Sequence, residues 1–472
     1  MSNFIKRLSF WGPPIFFLIC MQAPLPLISA HSWQVLGLMQ WMLVWWLTEV
    51  VPLGMTSLLP LTVLPLLQIP GLELKQVAQP YGSEIVFLFF GGFVLAIALE
   101  KWGLHRRIAL NILKKTGTQA NHIVLGFLMS ASFLSMWISN TATAVMMLPI
   151  ATSVLRLLKE NQEDADSKEM QNFAVSIMLA IAYGANLGGT MTIIGTPPNL
   201  VLVGFLKDRG IDFRFFDWLK IGVPFGLLSI TFSYFLLVKW IAPNHLGHLK
   251  GAKEMIDHEI ESIGKISRIE MKVLAVFGIT AIAWIFGAYL RDISFLKGLS
   301  DTNIALIAAF SLFLIKADDQ MILVWEDMKR IPWDIFFLFG GGLTLAFALE
   351  KVGLIHAIGQ SLGHLGSDSW IAIFILTFIS LSLTEVMSNV ALVTVFLPVV
   401  DAVAKGNGIS SELLCIPVTI AASCAFMLPM GTPPNAIVFA SGHVSMAQMC
   451  RAGFFLNLFC VMIITILSKL VL

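Results

Sequence analysis

The chain has 472 residues, 57% of them apolar and only 12% charged, with a formal net charge of +1. Its mean hydropathy of +0.83 is more apolar surface than a soluble core can hide, so the composition excludes an ordinary soluble domain and points to a polytopic membrane protein. A charge so close to zero also lacks the basic footprint of a nucleic-acid binder.

Apolar windows long enough to span a bilayer fall near 9–30, 34–50, 53–69, 84–101, 172–206, 217–241, 269–290, 302–316, 334–351, 412–440 and 452–472. The first ends in Ile28-Ser29-Ala30, faintly like a signal cleavage site. It is long for a signal segment and is soon followed by more apolar sequence, so it reads as a retained first helix. Two further windows, 122–158 and 369–404, carry a Ser-Asn pair at their centres, Ser139-Asn140 and Ser388-Asn389, with a proline following at Pro149 and Pro398. Their arms of about 16 residues are short for a full crossing, so each window is expected to be a re-entrant hairpin with its tip at membrane depth. Charged stretches at 159–170 and 243–268 read as solvated connectors, the second dividing the chain roughly in half. The five cysteines form no CxxC or Cys/His cluster and read as small core residues.

The halves match one another. Residues 90–101 align with 340–351 at an offset of 250 for Glu100 and Glu350, and the Ser-Asn pairs follow at 249. Gly195-Thr196-Pro197-Pro198-Asn199 and Gly431-Thr432-Pro433-Pro434-Asn435 follow at 236. Three matched blocks in one order make an internal repeat. After Glu100 come Lys101, Arg106, Arg107, Lys114 and Lys115, whereas Lys351 stands alone after Glu350. The positive-inside rule then puts 101–115, the 243–268 loop and the N-terminus in the cytoplasm and starts the second half from the opposite face, an inverted repeat of the kind used by secondary transporters.

The tips carry the chemistry. Polar groups are costly in hydrocarbon and are tolerated mainly where they line a protein cavity or a substrate path. A helix ending at Ser139-Asn140 offers carbonyl oxygens, and the helix starting at Thr141 offers N–H groups and a hydroxyl. Such a turn can hold a small hard cation on one side and a carboxylate on the other. Glycines and paired prolines at 188–199 and 430–435 should break helices 172–206 and 412–440 at mid-membrane, adding carbonyls from each first part and N–H groups from each second part. No Lys, Arg or His lies at the tips or breaks, so a bound anion must be neutralised by helix ends and co-bound cations. Glu385 stands where the first half has Met136, either as a proton carrier or as a hydrogen-bonded carboxylate at the hairpin base. Glu100 and Glu350 read as interfacial helix ends.

These motifs resemble the divalent anion/sodium symporter family, which includes bacterial succinate transporters and animal sodium-coupled dicarboxylate and citrate transporters. The resemblance covers essentially the whole chain and rests on residues 136–143, Leu187-Gly188-Gly189-Thr190, the two Gly-Thr-Pro-Pro-Asn blocks, and 425–429 leading to 436–439. It implies an all-α membrane protein of about eleven transmembrane helices plus two re-entrant hairpins, a homodimer, and elevator motion of a transport domain against a scaffold. The corresponding division is 1–83 scaffold, 84–241 first repeat, 242–268 cytoplasmic linker, 269–333 scaffold and 334–472 second repeat, with an arm at 102–117 and an outer arm at 352–366.

By the same resemblance, one sodium site takes Ser135, Ser139, Asn140 and the backbone near Gly189, and the other Thr384, the Met387 backbone, Asn389 and the backbone near Gly431. Substrate carboxylates would meet Asn140, Thr141, Thr196, Asn389, Val390 and the Thr432-Pro433 turn. Val390 departs from the threonine found in many bacterial relatives and resembles the animal transporters. The expected activity is sodium-coupled import of a C4 dicarboxylate across the cytoplasmic membrane. A sodium-independent exchanger and a citrate or sulfate carrier are the rivals. An ion channel would need a continuous charged or carbonyl-ringed pore. An enzyme would need a nucleophile–base or metal constellation, and HExxH does not occur.

Overall fold

The structure, a computed structural model, describes residues 3–22, 29–161, 168–249, 251–317, 320–354 and 369–472. It is built almost entirely of helices, with one two-stranded ribbon pairing Lys316–Ala317 with Gln320–Met321. In chain order the elements that position the site are α1 (Asn3–Gln22), α2 (Ala30–Thr48), α3 (Glu84–Lys101), α4 (Leu104–Thr116), α5 (Ala120–Ser135), α6 (Asn140–Asn161), α7 (Lys168–Thr190), α8 (Pro197–Lys207) and α9 (Phe215–Phe235). The second half follows with α10 (Ala252–Ile263), α11 (Arg268–Ile285), α12 (Asp301–Leu314), α13 (Trp333–Lys351), α14 (Ser369–Thr384), α15 (Asn389–Gly406), α16 (Ser411–Ala422), α17 (Pro433–Ala440) and α18 (Met446–Val471).

Among the described residues, six helices are long and apolar enough to cross a membrane, and five shorter apolar helices of 10–17 residues accompany them. The protein is therefore a multi-pass membrane protein. Several expected windows are not single helices. Window 53–69 is three short pieces, Leu53–Thr56, Leu59–Val63 and the 3-10 turn Leu64–Leu67, because Pro60 and Pro65 interrupt the ladder. Window 269–290 stops at Ile285 and resumes for one turn at Gly287–Arg291, and the outer arm expected at 352–366 lies largely outside the described residues.

The loop at 243–268 is more than a solvated connector. It contains α10, whose Ala252 and Ile256 are buried and whose acidic face meets the basic face of α4. Arg106 pairs with Glu259, Lys114 with Asp257 at 2.7 Å, and Arg107 with Glu270 on α11 at 2.9 Å. Helical spacing brings Leu110 and Leu113 of α4 onto one buried side and leaves its lysines and arginines on the other.

Helix α7 is the axis of the first half. Every one of its residues from Phe173 to Thr190 is buried, and it lies backbone to backbone against α5. A Cβ built on Gly188 would come 2.1 Å from the Ser132 carbonyl oxygen, so only glycine permits this approach. The halves are also tied across their ends. Asp401 of α15, with a fully buried side chain, receives Arg209 at 2.7 Å and Lys405 at 3.0 Å, and the Ser411 hydroxyl donates to its other oxygen.

Candidate functional site

Both Ser-Asn segments fold as a helix, a four-residue turn and a second helix, and the two turns are closed alike. The Ser135 hydroxyl donates to Asn140 Oδ1, and the Thr384 hydroxyl donates to Asn389 Oδ1 at 2.7 Å. Each donor ends the incoming helix and each acceptor begins the outgoing one, five residues on. Ser135 and Thr384 are fully buried, Asn140 and Asn389 half-buried, and Ser139 and Thr141 exposed.

The outgoing helices differ in their caps. Ser139 Oγ accepts the Ala142 N–H at 3.1 Å, so α6 starts at Asn140 with Ser139 as its cap, one residue earlier than the expected start at Thr141. Ser388 makes no such bond. Thr141 keeps its hydroxyl free of the cap. Val390, half-buried at the matching position, has none.

Each tip rests against a broken helix. Helix α7 stops at Thr190 and resumes as α8 at Pro197; α16 stops at Ala422 and resumes as α17 at Pro433. A residue before proline is pushed out of the helical region, and Thr196 (φ −145°, ψ 142°) and Thr432 (φ −146°, ψ 152°) are correspondingly extended and buried. The asparagine closing each block then staples its own loop. Asn199 Nδ2 donates to the Gly189 and Thr192 carbonyls at 3.1 and 2.8 Å. Asn435 Nδ2 donates to the Ala425 and Leu428 carbonyls at 2.9 and 3.0 Å. The bonding therefore makes Ala425, not Gly431, the counterpart of Gly189. Gly431 lies against Ala425 and the Glu385 carboxylate instead.

Tip and break meet in the first half at Asn140 and Gly189. A Cβ on Gly189 would stand 2.5 Å from Asn140 Oδ1 and 3.0 Å from Nδ2, and Thr192 also donates its hydroxyl to the Met136 carbonyl at 2.5 Å. Ser135 and Asn140 thus bring neutral oxygens together in close contact with Gly189. In the second half Thr384 lies within hydrogen-bond distance of the Ala422 carbonyl, bringing Thr384, Asn389 and the end of α16 together. Met387 and Val390 are half-buried in and just after the turn of that tip. Among the described residues no group of three His, Cys, Asp or Glu side chains could hold a metal, so a cation here would be held by hydroxyl, amide and carbonyl oxygens.

The breaks depart from expectation in their donors. Pro197-Pro198 and Pro433-Pro434 begin their helices and carry no N–H; Asn199 N bonds back to Thr196 O and Ala436 N to Thr432 O. The Pro pairs thus remove two N–H groups from each helix start, and the threonine hydroxyls stand just before them. The carbonyls of α7 are also partnered, Gly189 by Asn199 and Thr190 by the Trp218 indole at 2.9 Å, although a carbonyl retains a second lone pair.

Glu385 resolves as a hydrogen-bonded carboxylate, in the turn of the second tip itself and not at the hairpin base. It is 6% exposed and accepts the backbone N–H groups of Phe426, Met427 and Leu428 at 2.9 to 3.2 Å, with Asn457 Nδ2 at 2.7 Å. It welds the second tip to the second break and to α18. Sequence reasoning missed Asn186 of α7, which reaches across the halves. Its Nδ2 donates to Thr432 Oγ1 at 2.9 Å and to Asn435 Oδ1 at 3.2 Å. A cavity of about 350 Å³ opens elsewhere, between Glu84, Lys207, Arg214 and Asp301. It touches the first break only at Ile193 and includes none of the tip residues.

The sequence profile described as the sodium:sulfate symporter transmembrane region matches residues 7–471. The chain belongs to this family. Among its relatives, the sodium-dependent dicarboxylate transporter SdcS of Staphylococcus saprophyticus is 36% identical over 464 residues, covering 96% of this chain and 89% of that protein. The protein of the same name from Staphylococcus aureus strain USA300 is 38% identical over 441 residues, covering 91% and 84%. Family membership makes the chain a membrane transporter and not an enzyme.

Proposed function

We propose that this protein is a sodium-coupled symporter that imports C4 dicarboxylates such as succinate, malate or fumarate across the cytoplasmic membrane. The observation that carries the reading is the closing of both tips by a hydroxyl-to-asparagine bond against a broken helix, without a cationic side chain in the cluster. Such a site attracts a small cation by its oxygens. It accepts a dianion only once cations are bound, which makes coupling a requirement of charge balance. Relatives bearing the name sodium-dependent dicarboxylate transporter support the choice of ion and substrate class.

In this reading one sodium is held by Ser135, Ser139, Asn140 and the Gly189 backbone. The other is held by Thr384, the Met387 backbone, Asn389 and the backbone of the second break from Ala422 to Gly431. The substrate carboxylates meet Asn140, Thr141 and Thr196 on one side and Asn389, Val390, Thr432 and Pro433 on the other. The hairpins are re-entrant, and the halves form an inverted repeat with the N-terminus in the cytoplasm. A transport unit containing both tips and both broken helices moves as an elevator against a scaffold of 1–83 and 269–333 in each protomer of a homodimer. Uptake of labelled succinate into liposomes containing the purified protein tests the coupling. A sodium gradient should drive accumulation. Equal uptake without sodium would turn the reading to an exchanger. Uptake of sulfate or citrate in place of succinate would turn it to the carriers that the family's description and Val390 leave as rivals.

A further inference from the structure

We infer that Asn186, which lies outside both tips and both Gly-Thr-Pro-Pro-Asn blocks, is a positioning residue that fixes the Thr432 hydroxyl as a hydrogen-bond donor to the substrate anion. The inference rests on the proposed dicarboxylate reading. The polarity of the chain of bonds, together with their distances, carries the assignment. The Ala425 and Leu428 carbonyls can only accept, so the Asn435 group facing them at 2.9 and 3.0 Å is its amide nitrogen, and its oxygen points the other way. That oxygen faces Asn186 at 3.2 Å, so the Asn186 atom there must be its nitrogen. The same nitrogen lies 2.9 Å from Thr432 Oγ1, with the Ala425 carbonyl a longer third contact at 3.5 Å, so its two hydrogens go to the nearer acceptors, Asn435 and Thr432. Thr432 Oγ1 therefore accepts, and its own hydrogen has no acceptor among the described residues.

Asn186 is fully buried and Thr432 is 4% exposed, so water does not compete freely for either. A hydroxyl held as an acceptor from one side presents its hydrogen on the other, which is the polarity a carboxylate requires. The donor matters because the prolines that follow supply no N–H. The first half lacks this arrangement. The residue that matches Asn186 at the 236-residue offset is Ala422, and Asn199 Oδ1, the atom matching Asn435 Oδ1, is buried without a partner. The two breaks are alike in backbone and in their stapling asparagine, but only in the second is the threonine before the prolines held by an amide from the other half. Asn186 sits one turn before Gly189 on α7, so the same helix carries the first tip's contact and the second break's donor.

A double-mutant cycle on the purified protein, titrated with succinate at saturating sodium, tests the inference. Asn186→Ala should weaken succinate binding on the order of tenfold, the scale of one hydrogen bond to a charged group. Thr432→Val should weaken it at least as much. The double variant should bind no more weakly than Thr432→Val alone, because without the hydroxyl there is nothing for Asn186 to orient. Asn186→Asp should lose more affinity than Asn186→Ala, since its carboxylate would take the Thr432 hydrogen for itself. If alanine at 186 does not yield folded protein, Asn186→Ser, too short to reach both Thr432 and Asn435, enters the same cycle. Wild-type affinity in Asn186→Ala, or a full additive loss in the double variant, overturns the inference while leaving the proposed function intact. Failure of the wild type to bind succinate in sodium overturns both.

Discussion

Replacing Gly189 by alanine tests the first tip most directly. The new methyl would stand 2.5 Å from Asn140 Oδ1, where ordinary contact begins at 3.4 Å, so the amide must give by about 0.9 Å. Asn140 is already held by the Ser135 hydroxyl, and the opposite side of α7 is locked against α5 at Gly188. The strain therefore falls on the turn. Cation sites tolerate ligand shifts of only about 0.2 Å, so a displacement several times larger removes Asn140 from the proposed sodium site. Disturbing a supporting residue of a metal site costs about 10–100-fold in affinity, and we expect the sodium concentration for half-maximal binding to rise by that factor. Overpacking should lower stability by only about 1–3 kcal/mol. Sodium titration followed by thermal shift, with the melting temperature in choline as the baseline, separates the two effects. A Gly189→Ala protein with an unchanged sodium midpoint would refute the assignment of Asn140 and Gly189 to a common cation site.

Three further outcomes follow from the same geometry. Thr141→Val, which removes a free hydroxyl at the start of α6, should weaken succinate binding by about ten- to a hundredfold, whereas Val390→Thr should change it modestly; substrate titration at saturating sodium compares them. Glu385→Ala leaves the N–H groups of Phe426, Met427 and Leu428 without their acceptor. At about 1–3 kcal/mol for each buried group left unsatisfied, it should destabilise by at least about 3 kcal/mol, seen as a fall in melting temperature with and without ligand. Cysteines introduced at the exposed Lys253 and at Gly406 should differ in labelling by an impermeant reagent applied to sealed, right-side-out vesicles, Gly406 reacting and Lys253 not. Equal labelling of both would remove the inverted topology.

What could be read from the sequence was whatever lies within one block. The repeat, the two Ser-Asn turns and the two proline breaks are local in chain, and their residue types carry their own geometry. Pairings between blocks could not be read in this way. Asn186 is an ordinary polar residue in an apolar helix until folding brings it to Thr432, 246 residues away. Glu385 was ambiguous for the same reason, since a carboxylate's role depends on whether its neighbours are donors, and its donors are 41 to 72 residues further on. At the start of each second helix the Pro pair has no N–H to give, a local fact that the expectation of N–H groups there passed over. The 243–268 loop looked like a connector because its charges look solvated, but two of them, Asp257 and Glu259, pair with charges of α4.

Order of synthesis adds a constraint at Asp401. Arg209 leaves the ribosome 192 residues ahead of it, in the other half of the chain. Until the halves dock, the carboxylate near the end of α15 lacks its arginine, and a lone charge in an apolar helix is unfavourable. Lys405, one turn further along the same helix and 3.0 Å from the carboxylate, travels with it and neutralises it during that interval. The lysine is half exposed in the finished protein, where Arg209 and Ser411 already satisfy Asp401, so it has more to contribute before the halves dock than after. Loss of Lys405 should accordingly lower the yield of inserted protein more than it lowers the melting temperature of what does insert.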